Sequence, residues 1–417
     1  MLYTYPHYYK KFHCTASECE DTCCAGWEIM IDKKSLEKYK KAEKAEGAFG
    51  NRLHNSINWK EGSFSQYHHR CALLNDENLC DLYTEMGPDS LCKTCRTYPR
   101  HIEEFDGVRE YSLCMSCMEA AKIVLGTKET VRFLSKEDER EENEDAYEDF
   151  DFFLYTKLTD ARERLLEILQ DRTLRAPVRM KLGLALAHDL QRRIRDGKLY
   201  EVDAVLERFG KSDRAGILQK SFEKKRTSKK TGFEKTDGAS RYELMLALYE
   251  ELENLEPLHH HWPEHRTKMK ETLYENGKSA YERQRKEFLA SAAGERMELF
   301  LEQLMVYFVF TYFCGAVYNE NAYGKYKFSL ACTMLLEDMA QAVWAQREKY
   351  RADRSSDAAE PEKAETADSV ENWLIDLVHR FCREVEHSEE NLNALEDVMT
   401  KNAEFGIMSW MEALEEE

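Results

Sequence analysis

Ten of the thirteen cysteines lie between Cys14 and Cys117. They run Cys14-x4-Cys19-x3-Cys23-Cys24, then Cys71-x8-Cys80-x11-Cys92-x2-Cys95, then Cys114-x2-Cys117. A thiolate is a soft donor, and four of them complete the shell of a zinc ion or hold an iron–sulfur cluster. A two-residue spacer allows a tight turn to aim both sulfurs at one centre, as in Cys92-x2-Cys95 and Cys114-x2-Cys117. The chain opens Met1-Leu2-Tyr3-Thr4-Tyr5-Pro6, without the basic and apolar regions of an export signal. The expected compartment is therefore the reducing cytoplasm, where clustered cysteines ligate metal or do redox chemistry rather than form disulfides. All ten are candidate ligands. Cys92, Cys95, Cys114 and Cys117 lead, with Cys14, Cys19, Cys23, Cys24, Cys71 and Cys80 supplying further ligands or a second centre. His68 and His69 stand beside Cys71 but outside a regular ligand spacing. His259-His260-His261 is a second histidine-dense turn, and three consecutive rings cannot all face one ion from a helix or strand.

The elements that must position these thiols are short. Tyr3 to His13 reads as an extended lead-in. Adjacent Cys23 and Cys24 point to opposite faces of an extended backbone, so both face one site only through a local turn. Trp27, Ile29 and Ile31 alternate and predict a strand with one buried face, after which Asp32 caps a helix from Lys33 with Leu36 and Tyr39 inward. Glu46 to Glu61 reads as loop or weak helix. Cys71 to Tyr83 reads as a hairpin turning at Asn75-Asp76-Glu77-Asn78, followed by a short helical segment from Pro88 that stops before Pro99. His101 to Tyr111 is a strand–turn–strand about Asp106-Gly107, and Met118 to Leu134 is helix-like. Residues 1–134 thus form a small irregular α+β, cysteine-rich metal-binding domain.

An acidic run at residues 135–151 reads as a connector. From Phe152 to the C-terminus a period near 3.6 dominates, and residues 152–417 predict a helical bundle, so the chain as a whole is mainly α. The most apolar helix is Arg296 to Cys314, with Tyr323 to Trp344 as its antiparallel partner. Basic residues 223–240 and polar residues 351–369 read as flexible segments. The net charge of −19 opposes nonspecific nucleic-acid binding and suits a basic partner. No membrane association is expected, because the apolar stretch Leu299 to Val317 is interrupted by Glu302 and Gln303. There is no Gly-x-Gly, no phosphate loop, no Gly-x-Ser-x-Gly and no His-Glu-x-x-His. Any enzymatic chemistry then belongs to the metal centre or to a helical pocket.

The first quarter resembles the flagellin lysine-N-methylase family. The residues are Phe12-x-Cys14, Cys19-x3-Cys23-Cys24-x-Gly26-Trp27, Ile29-x-Ile31-Asp32 and Cys71-x8-Cys80 with Leu82-Tyr83, then Cys92-x2-Cys95-Arg96-x-Tyr98-Pro99-Arg100 and Cys114-x2-Cys117. The resemblance is close over about residues 1–130. It implies an iron–sulfur cluster, 4Fe-4S in type, S-adenosylmethionine as methyl donor, and surface lysines of flagellin as substrate. The Cys-x3-Cys-x2-Cys pattern of radical enzymes does not occur, since Cys19-x3-Cys23 is followed by Ala25-Gly26. Polar methyl transfer is therefore expected.

A lysine amine attacks a methyl donor only when neutral, which costs roughly 4–5 kcal/mol at pH 7 from its reference pKa of about 10.4. A dry aromatic pocket with a proton acceptor offsets that cost. Tyr307, Tyr312, Tyr318, Tyr323 and Tyr326 are the aromatic candidates along the apolar helix pair, and each also has a plain packing role. The alternative to a methyltransferase is a noncatalytic iron- or zinc-binding module on a helical scaffold, serving metal handling or protein interaction. Metal and sulfide analysis of anaerobically purified protein distinguishes the centres. Iron with sulfide and a brown colour are expected, and stoichiometric zinc without iron would exclude the cluster.

Overall fold

The structure is a computed structural model and describes residues 1–44, 47–138, 150–210, 239–355 and 366–415. The chain begins with β1 (Leu2–Pro6) and then enters a cysteine-bearing loop without regular strands. A small lobe follows: α1 (Lys33–Ala42), α2 (Ala48–Asn55), β2 (Ile57–Asn58), β3 (Ser63–Phe64), β4 (Gln66–Tyr67), β5 (Arg70–Cys71), α3 (Asp81–Met86) and α4 (Lys93–Thr97). Asp32 caps α1, its Oδ1 accepting from the Ser35 amide at 3.0 Å. Its Oδ2 accepts from the Lys93 amide at 2.8 Å, so one carboxylate ties together the first turns of α1 and α4. Ile29, Ile31, Tyr39, Leu53, Phe64 and Leu82 form the core of this lobe, and Cys71 and Cys92 are buried in it.

The chain then forms β6 (Arg100–Phe105), β7 (Val108–Leu113), α5 (Met118–Gly126) and β8 (Phe133–Glu137). With β1 these make a four-stranded sheet in the order β6-β7-β1-β8. β1 runs parallel to β7, pairing Leu2 with Val108, and antiparallel to β8, pairing Pro6 with Phe133.

The architecture is mainly α with a small irregular α+β N-terminal region, as the periodicities predict. Several local expectations change. The lead-in is an inner strand, because β7 and β8 offer it hydrogen bonds on both edges. Trp27 to Asp32 is not a strand: Ile29 and Ile31 are buried as the alternation requires, but the neighbouring two-residue strands leave only isolated bridges at Ala25–Arg70 and Met30–Ser63. Glu46 to Glu61 contains α2 and β2. The hairpin at Cys71 reduces to a loop closed by a Leu74–Cys80 bridge. The helix from Met118 stops at Gly126, and residues 133–137 pair with β1, so the connector's first residues are strand. Residues 139–149 of that connector and 223–238 of the basic segment lie outside the described residues.

The helical region comprises α6 (Phe152–Leu169), α7 (Ala176–Arg195), α8 (Val202–Arg208), α9 (Arg241–Glu253), α10 (Trp262–Tyr274), α11 (Lys278–Leu289), α12 (Ala292–Tyr312), α13 (Ala322–Ser355), α14 (Ala367–Val385), α15 (Glu389–Lys401) and α16 (Ile407–Ala413). The polar segment 351–369 is shorter than its composition suggests, since α13 reaches Ser355 and α14 starts at Ala367; residues 356–365 lie outside the described residues. α12 and α13 pack antiparallel: Phe308 and Tyr312 near the end of one meet Phe328 near the start of the other. Phe288, just before α12, meets Trp344 far along α13. The stretch Ala292–Val317 is long and apolar enough to cross a membrane, yet 94% of its most apolar window is buried inside the fold. Glu302, which interrupts it, is paired with Arg172 and with Arg179 at 2.6 Å.

Charge pairs hold the buried layers in register. Arg162 on α6 makes a bidentate pair with Glu110 on β7, and its Nη1 donates to the Phe310 carbonyl on α12 at 3.2 Å. One guanidinium therefore joins the sheet to two helices. Deeper in the bundle Arg241 and Arg285 meet Glu337, and Tyr274 and Tyr281 donate to Asp338 at 2.6 and 2.9 Å. Breaking a buried pair by removing one partner leaves an uncompensated charge. Arg162→Ala should lower unfolding stability by about 3–5 kcal/mol in urea titration. Lys401→Ala, which breaks the exposed pair with Asp397, should cost under about 1 kcal/mol.

Candidate active site at the lobe junction

The small lobe meets the bundle along α14 and the three residues that follow it. Residues 379, 382, 383 and 386 recur at helical spacing, so the backbone periodicity puts His379, Cys382, Arg383 and Glu386 on one face. That face is turned to the cysteine loop. His379 Nε2 lies 2.9 Å from Asp21 Oδ2, and His379 Nδ1 lies 3.3 Å from the Met115 carbonyl. Arg383 pairs with the same Asp21 carboxylate and donates to the carbonyls of Thr22 and Ala25. Burial alone would raise the Asp21 pKa; His379 and Arg383 together overcome that and hold it well below the usual carboxylate range.

This grip fixes the loop that carries Cys19, Cys23 and Cys24. Cys23 and Cys24 sit in a turn, closed by the Trp27 indole donating to the Cys23 carbonyl at 2.7 Å. The turn lets the two thiols share a hydrogen bond while each faces different neighbours. Cys24 lies near Cys71, Cys80 and Cys95, whereas Cys23 lies near Cys14 and Cys117. Cys117 in turn faces Cys19 and Cys14. Cys92 and Cys95 form a second hydrogen-bonded pair at the start of α4. The partner's thiol lowers Cys24 to about 7 and Cys92 to about 7, while Cys23 and Cys95 are pushed up. Cys114 faces away from these pairs, toward Tyr307 and Glu386, and burial raises it. Among the described residues no three His, Cys, Asp or Glu side chains converge on a point that one ion could occupy.

Gly26 has φ +87°, and a Cβ there would overlap the His259 ring. The glycine of the Cys-Cys-x-Gly-Trp element therefore does two things: it adopts a left-handed conformation and admits an imidazole. His259 Nδ1 lies 2.6 Å from Glu384 Oε1, and Glu384 also accepts from the amides of Leu258 and His259. His260 stacks on His69 and also meets the neighbouring His261 ring.

The two sequence elements with the most distinctive residues meet at His387. Its ring centroid is 4.7 Å from that of Trp27 and 5.6 Å from that of Tyr98. Neither ring nitrogen, both enclosed, has a hydrogen-bond partner among the described residues. Burial, reinforced by Arg383, lowers its pKa to about 3. Beside it Glu386 Oε1 accepts from the Tyr307 hydroxyl and from Tyr312 at 2.7 Å, with burial raising the carboxyl's pKa. Of the five tyrosines singled out along the apolar pair, Tyr307 and Tyr312 reach this site. Tyr318 is exposed and donates to the Glu104 carbonyl, Tyr326 is buried and donates to Met180, and Tyr323 packs against His188. The motif reading missed Asp21, His379, Arg383, Glu386 and His387. The available signal was a polar stripe at core spacing along an otherwise amphipathic helix.

Residues 162–412, about three fifths of the chain, match the family profile described as FliB lysine N-methylase C-terminal domain. The lysine-N-methylase of Salmonella typhimurium is similar at 26% identity over 139 residues, 32% of this chain and 35% of that protein. The flagellar biosynthetic protein FliU of Salmonella muenchen is 30% identical over 128 residues, 29% of this chain and 76% of that protein. The aligned region thus spans about a third of the length of the lysine-N-methylase. No solved structure matches.

The neutral His387 ring sets an acid limit on the junction. Its folded pKa is below the unfolded value of 6.5, so its contribution is complete above pH 6.5 and is lost as pH falls toward about 3. The slope is roughly 1.4 kcal/mol per pH unit. His387→Phe keeps an aromatic ring and removes the titration. Over that window the stability of the native chain should fall more steeply than that of the variant, measured by denaturant titration at stepped pH.

Proposed function

The chain belongs to the lysine N-methylase family defined by the FliB C-terminal domain, and from that premise we propose that it methylates the Nζ of surface lysines on flagellin with S-adenosylmethionine as donor. The observation that carries this reading is the extent of the family match. It covers the stretch that sets His387 against Trp27 and Tyr98 of the cysteine lobe and places Tyr307 and Tyr312 on the adjacent Glu386. A flagellar substrate draws further support from the name of the Salmonella muenchen relative.

In the transfer the lysine ammonium, once bound, gives a proton to a base, and the neutral nitrogen then attacks the sulfonium methyl carbon. The carbon–sulfur electron pair leaves with sulfur, and the nitrogen gains one carbon. The chain's own residues supply the conditions. Aromatic rings from both lobes exclude water, which weakens the charged form of an inserted amine. The clamp of His379 and Arg383 on the loop at Asp21 keeps the two walls together.

The donor set suits an iron–sulfur cluster, with zinc as the alternative metal. Its members are thiols, two of them lowered toward neutrality and so readily ionised. Cys23, Cys24, Cys92 and Cys95 would hold the cluster, with Cys14, Cys19, Cys71, Cys80, Cys114 and Cys117 around them. When bound, the cluster would cross-link the loops, and with only three of these thiolates on it one iron would be open to the amino and carboxylate groups of a donor.

Mass spectrometry of flagellin after anaerobic incubation with cluster-loaded protein and donor should find lysines heavier by one or more methyl groups. Cys95→Ala should abolish the change. Unmodified flagellin with the native protein would refute the reading in favour of a metal-binding interaction module.

A further inference from the structure

We propose, resting on the lysine-methylation reading, that Glu386 is the receptor for the charged head of the acceptor lysine, with the Tyr307 and Tyr312 rings flanking its aliphatic stem.

Carboxylates elsewhere in the fold show why Glu386 stands apart. Glu110, Glu302, Glu337, Asp338, Glu384 and Glu396 are the buried acids among the described residues. Each has a basic side-chain partner: Arg162, Arg172 with Arg179, Arg241 with Arg285, Arg241, His259 and Lys325 respectively. Glu386 has none within salt-bridge distance among the described residues. Both tyrosine hydroxyls go to Oε1, the weakly donating Cys382 thiol lies beside the carboxylate, and Oε2 is enclosed without an N–H or O–H donor. His101, the cationisable ring against Tyr312, is engaged by Glu103 at 2.7 Å.

An enclosed carboxylate oxygen without a donor is costly, and a fold that pairs its other buried acids leaves this one for a ligand. The ligand's chemistry follows from what is open. One oxygen suits the point charge of an ammonium group. A guanidinium fork needs two acceptors, and Oε1 already takes two hydroxyls. Glu386 is half-buried as a residue while its Oε2 is enclosed, so an entering lysine must displace the groups that cover that oxygen. The Tyr307 and Tyr312 rings give the four-carbon stem an apolar wall.

Binding separates this assignment from the reading beneath it. Cluster-loaded full-length protein with S-adenosylhomocysteine is titrated with fluorescent peptides that differ only in lysine, arginine or norleucine. The native protein should prefer lysine to norleucine by about tenfold or more, and lysine to arginine. Glu386→Gln retains an oxygen for the two tyrosines and removes the charge. It should erase most of that preference and raise KM for the protein substrate, while the affinity for S-adenosylhomocysteine and the cluster's colour stay unchanged. Should Glu386→Gln not fold, Glu386→Asp withdraws the charge by one methylene and should weaken the preference without abolishing it. A native protein without lysine preference, or a preference that either folded variant leaves intact, overturns the assignment. Methylation that persists unaltered in Glu386→Gln refutes the pocket and keeps the methylase. Lysine-selective binding through Glu386 without methyl transfer keeps the pocket and refutes the methylase.

Discussion

The junction depends on one ion-paired contact: Asp21 held between His379 and Arg383. A carboxylate with two basic partners is stabilised in its charged form, and its geometry is fixed by donors from a single rigid helix. Because Asp21 lies between Cys19 and Cys23, fixing it also fixes the loop that carries the thiols. Because Arg383 reaches the Thr22 and Ala25 carbonyls, backbone groups that would otherwise need water are satisfied inside the protein. Without this contact the cysteine lobe would present its aromatic residues to solvent rather than to His387.

Two kinds of buried charge coexist in the fold. Within the bundle and against the sheet, guanidinium groups meet carboxylates that point back at them, as at Arg162–Glu110 and Arg241–Glu337. These specify which elements pack together and leave little for a ligand. At the junction the pairing is incomplete: His387 keeps two enclosed nitrogens and Glu386 one enclosed oxygen without partners. Natural folds satisfy most such groups, and here an unpartnered carboxylate oxygen and an unpartnered imidazole stand on neighbouring residues. Their neighbours are aromatic rings, which deny water the space to compensate.

The same junction explains why the chain joins two unlike parts. The cysteine lobe has a small core of its own, and its irregular loops place thiols without long strands or helices. The bundle contributes rigid helices that hold individual side chains in place. A site built from both obtains soft sulfur donors from one side and positioned carboxylate, imidazole and phenol groups from the other. Hydrogen bonding at Cys23–Cys24 and Cys92–Cys95 makes one member of each pair easier to ionise to a thiolate and its partner harder.

Much of this was written locally in the chain. The cysteine spacings, the Asp32 cap and the 3.6-residue period after Phe152 each depend on neighbours within a turn or two, and local order suffices to read them. The strand at Trp27 failed for the opposite reason: pairing needs a partner strand, and the segments opposite it proved too short. The N-terminal strand likewise gained its identity from residues more than a hundred positions away. Tertiary structure alone decided the site. Trp27, Tyr98 and His387 come from opposite ends of the chain, and no periodicity links them. Glu386 and Glu384 are chemically the same residue, two positions apart. One was given a histidine and the other an enclosed oxygen without a donor, because hydrogen-bond pairing is a property of packing and not of residue type.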